Sequence, residues 1–252
     1  MEEIKIEAKD GIKIAVNHYK NGFDCVVILA PGWFMTKDSK SFVEMSKVFS
    51  QKADVLVMDF RGHGNSEGFY TFTTDEVKDI SAVIEFAKVN YKKIFLVGFS
   101  LGGALVLIAG SNFDCIDKII AVSAPVSFDK IENQVWKPEA WIPTFQKCEL
   151  KRWFSIRPSI KICEKIKPID IVEKVKCPTL FLAGEKDPTV CAWHTEELYK
   201  KAVCKKGYEL FKDCCHAEDL FIQDRKKFVK ICTDWLSLYN YFFNSFQILM
   251  KN

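Results

Sequence analysis

The sequence predicts an α/β protein with a mostly parallel, twisted sheet and helices on both faces. Three observations carry that prediction. Short, predominantly apolar runs recur along the chain, notably Cys25–Ala30, 55–58, 94–97, 119–122 and 179–183. Amphipathic or Ala/Leu-rich segments of helical spacing stand between them. Glycine, proline or aspartate closes several runs, as Pro31-Gly32, Asp59 and Gly98 do. Strands that read as continuously apolar are covered on both faces, and strand–helix alternation of this kind builds a parallel sheet.

Taken in order, residues 3–8 and 12–19 alternate apolar and polar around Asp10-Gly11, a hairpin signal. The first buried strand, 25–30, is followed by Phe42, Met45, Val48 and Phe49 at helical spacing. The second, 55–58, is closed by Asp59 and a glycine-rich loop. Thr73 and Glu76 then have capping-box spacing, ahead of a helix whose apolar face carries Val77, Ile80, Val83, Ile84 and Ala87. A strand at 94–97 leads into a helix from Leu101 to about Gly110. After the strands 119–122 and 179–183 come a helix from about His194 to Val203, a last strand at 208–211 and one long C-terminal helix.

One stretch breaks the rhythm. Between Pro125 and Asp170 no buried strand is evident, yet the stretch holds five of the eight prolines and three of the six tryptophans, Trp136, Trp141 and Trp153. It reads as an insertion, about 125–170, laid over the sheet of a single domain spanning residues 1–252.

Bulk properties exclude several classes. A net charge of +3 on 252 residues offers no general attraction for nucleic acid. The ten cysteines are scattered, with no CxxC pair, and read as reduced thiols of a cytoplasmic protein. The acidic, alternating start MEEIKIEAKDG has the character of neither a signal nor a transit peptide. No run of about 18 apolar residues is present to span a bilayer.

Gly98-Phe99-Ser100-Leu101-Gly102 fits G-x-S-x-G, directly after one predicted strand and directly before a predicted helix. That context suits a tight turn presenting the Ser100 hydroxyl at a helix start, where unpaired amides are available to a developing oxyanion. A serine needs a base. Of the four histidines, His18 lies in a strand, His194 in a helix and His63 before the serine, whereas His216 follows the last strand. His216 is the candidate base. Asp187, after the strand 179–183, is the candidate acid, with Asp213 and Glu185 as rivals. Pro31 has no N–H, so Trp33 is read as one oxyanion donor and Leu101 as the other.

These residues resemble the α/β-hydrolase superfamily, in particular its small bacterial serine aminopeptidase-like, lysophospholipase-like and cinnamoyl-esterase-like members. The resemblance rests on residues 98–103, on Asp59-Phe60-Arg61-Gly62-His63-Gly64-Asn65-Ser66 and on 182–187, and extends over nearly the whole chain. It implies the α/β-hydrolase fold with a small lid formed by the insertion. It also implies a Ser100–Asp187–His216 triad that cleaves carboxylic esters, or thioesters or short peptides, with no cofactor and no metal. Arg61 and His63 are then structural. Two departures stand out: Pro31-Gly32 replaces the His-Gly common before the oxyanion donor, and Cys214-Cys215 occupies the place where a glycine often precedes the histidine. The implied partner is a small-molecule acyl ester, on a monomer or homodimer; Trp136, Trp141 and Trp153 either line the acyl pocket or pack the lid onto the sheet.

Three other readings stay open at this level. Cys204, Cys214, Cys215 and His216 are near enough in sequence to suggest zinc, although adjacent cysteines are not the usual spacing. A hydrolase fold also serves non-catalytic small-molecule receptors. The aromatic segment 235–243 suits a membrane surface or a partner, though it lacks the flanking positive charge of an interfacial anchor.

Overall fold

The computed structural model describes residues 1–132, Pro138, Glu149, 154–159 and 165–238. Trp136, Trp141, Trp153, most of the insertion and the chain beyond 238 lie outside the described residues.

Eight strands form one sheet: β1 (Glu2–Glu7), β2 (Lys13–Tyr19), β3 (Cys25–Ala30), β4 (Asp54–Met58), β5 (Lys93–Phe99), β6 (Lys118–Val122), β7 (Thr179–Gly184) and β8 (Lys206–Phe211). Their order is β1-β2-β4-β3-β5-β6-β7-β8. The β1–β2 hairpin is antiparallel, with Glu2 opposite His18 and Glu7 opposite Lys13, and β2 pairs antiparallel with β4. From β4 through β8 every pairing is parallel. This is the α/β-hydrolase fold.

Helices cover both faces. On one side α2 (Glu76–Asn90), α3 (Leu101–Asn112) and α5 (Ala192–Lys201) pack with Val26, Ile28, Leu56, Leu96 and Ile119. On the other, α1 (Lys40–Phe49), α6 (Asp219–Gln223) and α7 (Arg225–Leu236) pack with Val27, Leu29, Val55, Val57, Phe95, Val97 and Phe99. Neighbouring strand residues therefore point into different apolar layers, which is why β3 and β4 are buried at every position. The short α4 (Pro168–Ile171) leads back to β7. Residues 101–110 of α3 are all buried, matching a sequence apolar all round.

Two local expectations change. The C-terminal segment is not one long helix: it breaks at Asp224, whose carboxylate accepts the Lys227 amide 3.2 Å away and caps α7. Only half of the Thr73–Glu76 capping box forms. The Glu76 carboxylate accepts the amides of Thr71 and Thr73, each at 2.7 Å, but Asp75 is the N-cap, and among the described residues the Thr73 hydroxyl has no partner. The carboxylate thus holds the loop before α2 instead of closing the helix on itself.

Candidate active site

The site lies at the carboxyl ends of β5, β7 and β8, the edge where open parallel sheets gather ligands. Ser100 joins β5 to α3 with φ 53° and ψ −112°, a left-handed conformation that costs a non-glycine residue about 1–3 kcal/mol. Its neighbours explain how the turn closes. A Cβ on Gly98 would stand 2.2 Å from the Gly102 carbonyl oxygen, and one on Gly102 would stand 2.0 Å from that of Ala30. Only glycine fits at either place. The Ser100 amide donates to Val122 O at 2.8 Å, tying the elbow to β6.

The carboxylate of Asp187 follows β7 and is fully buried. Its Oδ1 accepts the amides of Thr189 and Val190, each at 2.9 Å. Its Oδ2 lies 2.7 Å from His216 Nδ1, and His216 Nε2 lies 2.9 Å from Ser100 Oγ. An ionised carboxylate only accepts, so Nδ1 carries the proton and Nε2 is left to accept from the serine hydroxyl. The loop bearing His216 packs tightly against β7. A Cβ on Gly184 would meet the Cys215 carbonyl oxygen at 2.0 Å. The glycine that makes room for this loop therefore sits on β7, not beside the histidine, and Cys214-Cys215 are accommodated. The Ala217 amide donates to Ser123 Oγ at 3.2 Å and anchors the far end.

The rival acids point elsewhere. Asp213 is exposed and pairs with Lys186 at 2.5 Å, which holds its carboxyl below the usual range. Glu185 accepts the Asp213 amide at 3.1 Å. The zinc reading fares no better: both nitrogens of His216 are engaged by Asp187 and Ser100. Among the described residues no three His, Cys, Asp or Glu side chains are grouped as a metal would require.

Trp33 follows Gly32, whose Cβ position would be 3.2 Å from the Ser100 Cβ. The loop thus runs directly beside the serine. Among the described residues neither the Trp33 amide nor the Leu101 amide donates a hydrogen bond to a protein acceptor. The Trp33 ring packs on Phe34, Tyr70 and Phe72, with centroids 4.2, 6.1 and 6.1 Å away.

The remaining histidines have other partners. His63 is buried edge-on to Tyr70, with Nδ1 3.2 Å from Arg61 O, and burial pushes its pKa down to about 4. Arg61 forks onto Asp79, at 2.6 and 2.8 Å, and onto Asp10. His18 contacts the Tyr91 hydroxyl at 2.6 Å on β2. His194 lies against Glu132 at 3.1 Å, a contact between residues 62 apart that local sequence pattern had no means to signal. No described helix is long and apolar enough to cross a membrane.

Comparison with known proteins agrees with this architecture. Residues 26–148 match the family model for the alpha/beta hydrolase fold. The chain is 24% identical to the human protein Serine hydrolase BPHL over 263 residues, covering 89% of this chain and 85% of that protein. It is 26% identical over 222 residues to the Arabidopsis thaliana alpha/beta hydrolase domain-containing protein WAV2, covering 81% and 67%. The Pyrococcus furiosus esterase Pf2001 superposes with a TM-score of 0.77 at 23% identity, covering 94% of this chain and 89% of that one. An Exiguobacterium antarcticum esterase gives 0.73 at 20%, covering 94% and 100%. With the sheet order, the elbow and these matches together, the chain has the α/β-hydrolase fold and is similar to proteins of that superfamily.

Proposed function

We propose that the protein is a serine hydrolase that cleaves carboxylic esters of small molecules through an acyl-enzyme on Ser100. The observation that carries this reading is the unbroken hydrogen-bonded series Asp187–His216–Ser100, ending on a strained elbow. The esterase neighbours support ester over amide substrates.

In the first half-reaction Ser100 Oγ attacks the ester carbonyl carbon while His216 Nε2 takes the hydroxyl proton. Negative charge moves to the carbonyl oxygen, where the amides of Trp33 and Leu101 receive it. One such donor is worth about 10²–10³ in rate. The tetrahedral species collapses, the C–O bond to the alcohol breaks, and the imidazolium returns its proton to the departing alkoxide. Water then repeats the sequence on the acyl-enzyme, releasing the acid and restoring the serine. Asp187 stays ionised throughout. It fixes the tautomer of His216 and stabilises the imidazolium, and its own Oδ1 is held by two amides.

A fluorophosphonate probe tests the nucleophile directly, because it labels only an activated serine. Ser100 is expected to be the labelled residue. Ser100→Ala is expected to lose labelling and to lower kcat on p-nitrophenyl esters by about 10⁴–10⁶ with the fold intact. Near-normal turnover by clean Ser100→Ala protein would refute the assignment.

A further inference from the structure

A buried carboxylate stands behind the oxyanion loop. Asp59, at the end of β4, is fully inaccessible. Its Oδ1 accepts the Lys37 amide at 2.6 Å and its Oδ2 accepts the Asn65 amide at 2.9 Å. Gly64 makes the second contact possible: it has φ 48°, and a Cβ there would stand 2.2 Å from Oδ2. One side chain thus joins two loops, 31–39 after β3 and 59–66 after β4.

The first of these loops carries Trp33. Its near end is set by Gly32 against Phe99 and Ser100. A turn follows, with the Met35 amide donating to Gly32 O at 3.2 Å. The far end is set at Lys37, by Asp59. The direction of the Trp33 N–H is determined between these two anchors. The charges around the carboxylate come from every side of it. Lys37, buried to 1% exposure, turns its ammonium to Glu3 of β1 at 2.8 Å and to Asp38 at 2.6 Å. Lys5 of β1 reaches the Asn65 carbonyl oxygen. Asp38 is itself tied to Asn17 of β2.

Resting on the ester-hydrolase reading above, we propose that Asp59 is a positioning residue: in its ionised form it holds the oxyanion loop in register with Ser100, so turnover requires a second deprotonation besides that of His216. A carboxylate offers an acceptor to each amide. A neutral carboxyl keeps its full acceptor strength only at the carbonyl oxygen and sets an O–H and a weaker acceptor against the other N–H, so protonation loosens one of the two loops. Burial raises the Asp59 pKa to about 6, against the pull of the two amides and of Lys37. The loosening therefore falls near the pH at which an ordinary histidine titrates.

Three measurements on the full-length protein test this. In wild type, log(kcat/KM) for a p-nitrophenyl ester is expected to fall with a slope approaching two below about pH 6. Asp59→Asn, which is neutral at every pH, is expected to lose about 10–100-fold in kcat with KM changed less than about threefold, and to keep a slope of one. The Lys37 amide resonance, followed by NMR in inactive Ser100→Ala, is expected to titrate near pH 6. A purely scaffolding Asp59 would instead lower the melting temperature and leave kcat and the slope unchanged, which overturns the proposal. A Lys37 amide that is flat from pH 5 to pH 7.5 overturns it equally, and that result, like the wild-type slope, is available even if Asp59→Asn does not fold. A titrating amide in a protein without Ser100-dependent turnover would refute the catalytic half through the hydrolase reading, not through the loop.

Discussion

Gly102→Ala isolates the geometry of the elbow from its chemistry, because it adds one methyl group and touches no catalytic side chain. Alanine is the better helix former, so position 102 taken alone gains about 1 kcal/mol. The added Cβ, however, would stand 2.0 Å from Ala30 O and 2.6 Å from Pro31 O, where real Cβ atoms stay beyond 3.0 Å. Both obstacles are backbone, so no side chain can swing aside. Relief demands that α3 and the 30–33 loop separate by about 1 Å, and overpacking of this kind costs about 1–3 kcal/mol. The steric term therefore equals or exceeds the helix gain. Its larger effect is on rate. The separation moves the Leu101 amide away from the Trp33 amide, and a misplacement of about 1 Å at a reacting centre costs on the order of 10²-fold. Gly103→Ala is the control: its Cβ would meet Ala124 and Val122 O at 3.1 Å, which small shifts accommodate. The assay is kcat/KM on a p-nitrophenyl ester, with the rate of fluorophosphonate labelling and the melting temperature measured alongside. Equal kcat/KM for Gly102→Ala and Gly103→Ala would refute the argument.

Two further outcomes follow from the same structure. Asp187→Asn removes the acceptor that sets the His216 tautomer and is expected to lower kcat by on the order of 10³–10⁴. Asp213→Asn, at an exposed pair with Lys186, is expected to stay within about twofold, and reversal of that order in steady-state kinetics would reassign the acid. His63 is held neutral by burial, its pKa lowered from 6.5 to about 4. Between those values the unfolded chain takes up a proton that the native state refuses, so stability falls as pH falls through the window. At about 1.4 kcal/mol per pH unit, the window is worth roughly 3 kcal/mol. Urea denaturation at pH 7 and pH 4 is expected to show that loss in wild type relative to His63→Phe, whose ring retains the contact with Tyr70. Equal pH dependence in the two proteins would exclude a buried neutral His63.

Strands buried on both faces were the easiest part of this fold to read from sequence. In β3, β4 and β6 nearly every residue is apolar, so the signal is local and continuous. The elbow was legible for a similar reason: strand, glycine, serine, glycine and helix are contiguous. What escaped depends on residues far apart in the chain. Lys37 reads as a surface residue until Glu3 and Asp38 are seen to neutralise it in the interior. Asp59 reads as a strand terminator, and nothing around it in sequence signals that Lys37, 22 residues earlier, donates to its carboxylate. The position of β2 beside β4, rather than beside β3, is likewise set by packing and not by periodicity. The break at Asp224 falls in the polar run Gln223-Asp224-Arg225-Lys226-Lys227, which also suits a solvated helical turn, and the cap that marks it is a single side-chain hydrogen bond.

The order of strands has a consequence for when the proposed triad is assembled during folding. Ser100 leaves the central strand β5, and β6, β7 and β8 are added beyond it in chain order. His216 is 116 residues from Ser100 in sequence, yet bonded to it in space. Long-range closures of this kind carry the entropy of a large loop and come late. A nascent chain that has formed β1 to β6 already has its elbow and its oxyanion loop, but its serine has no base. Only when β8 pairs with β7 does the imidazole arrive. On the proposed mechanism, partly folded molecules lack an activated serine, and the appearance of a reactive Ser100 would report that the last strand has docked.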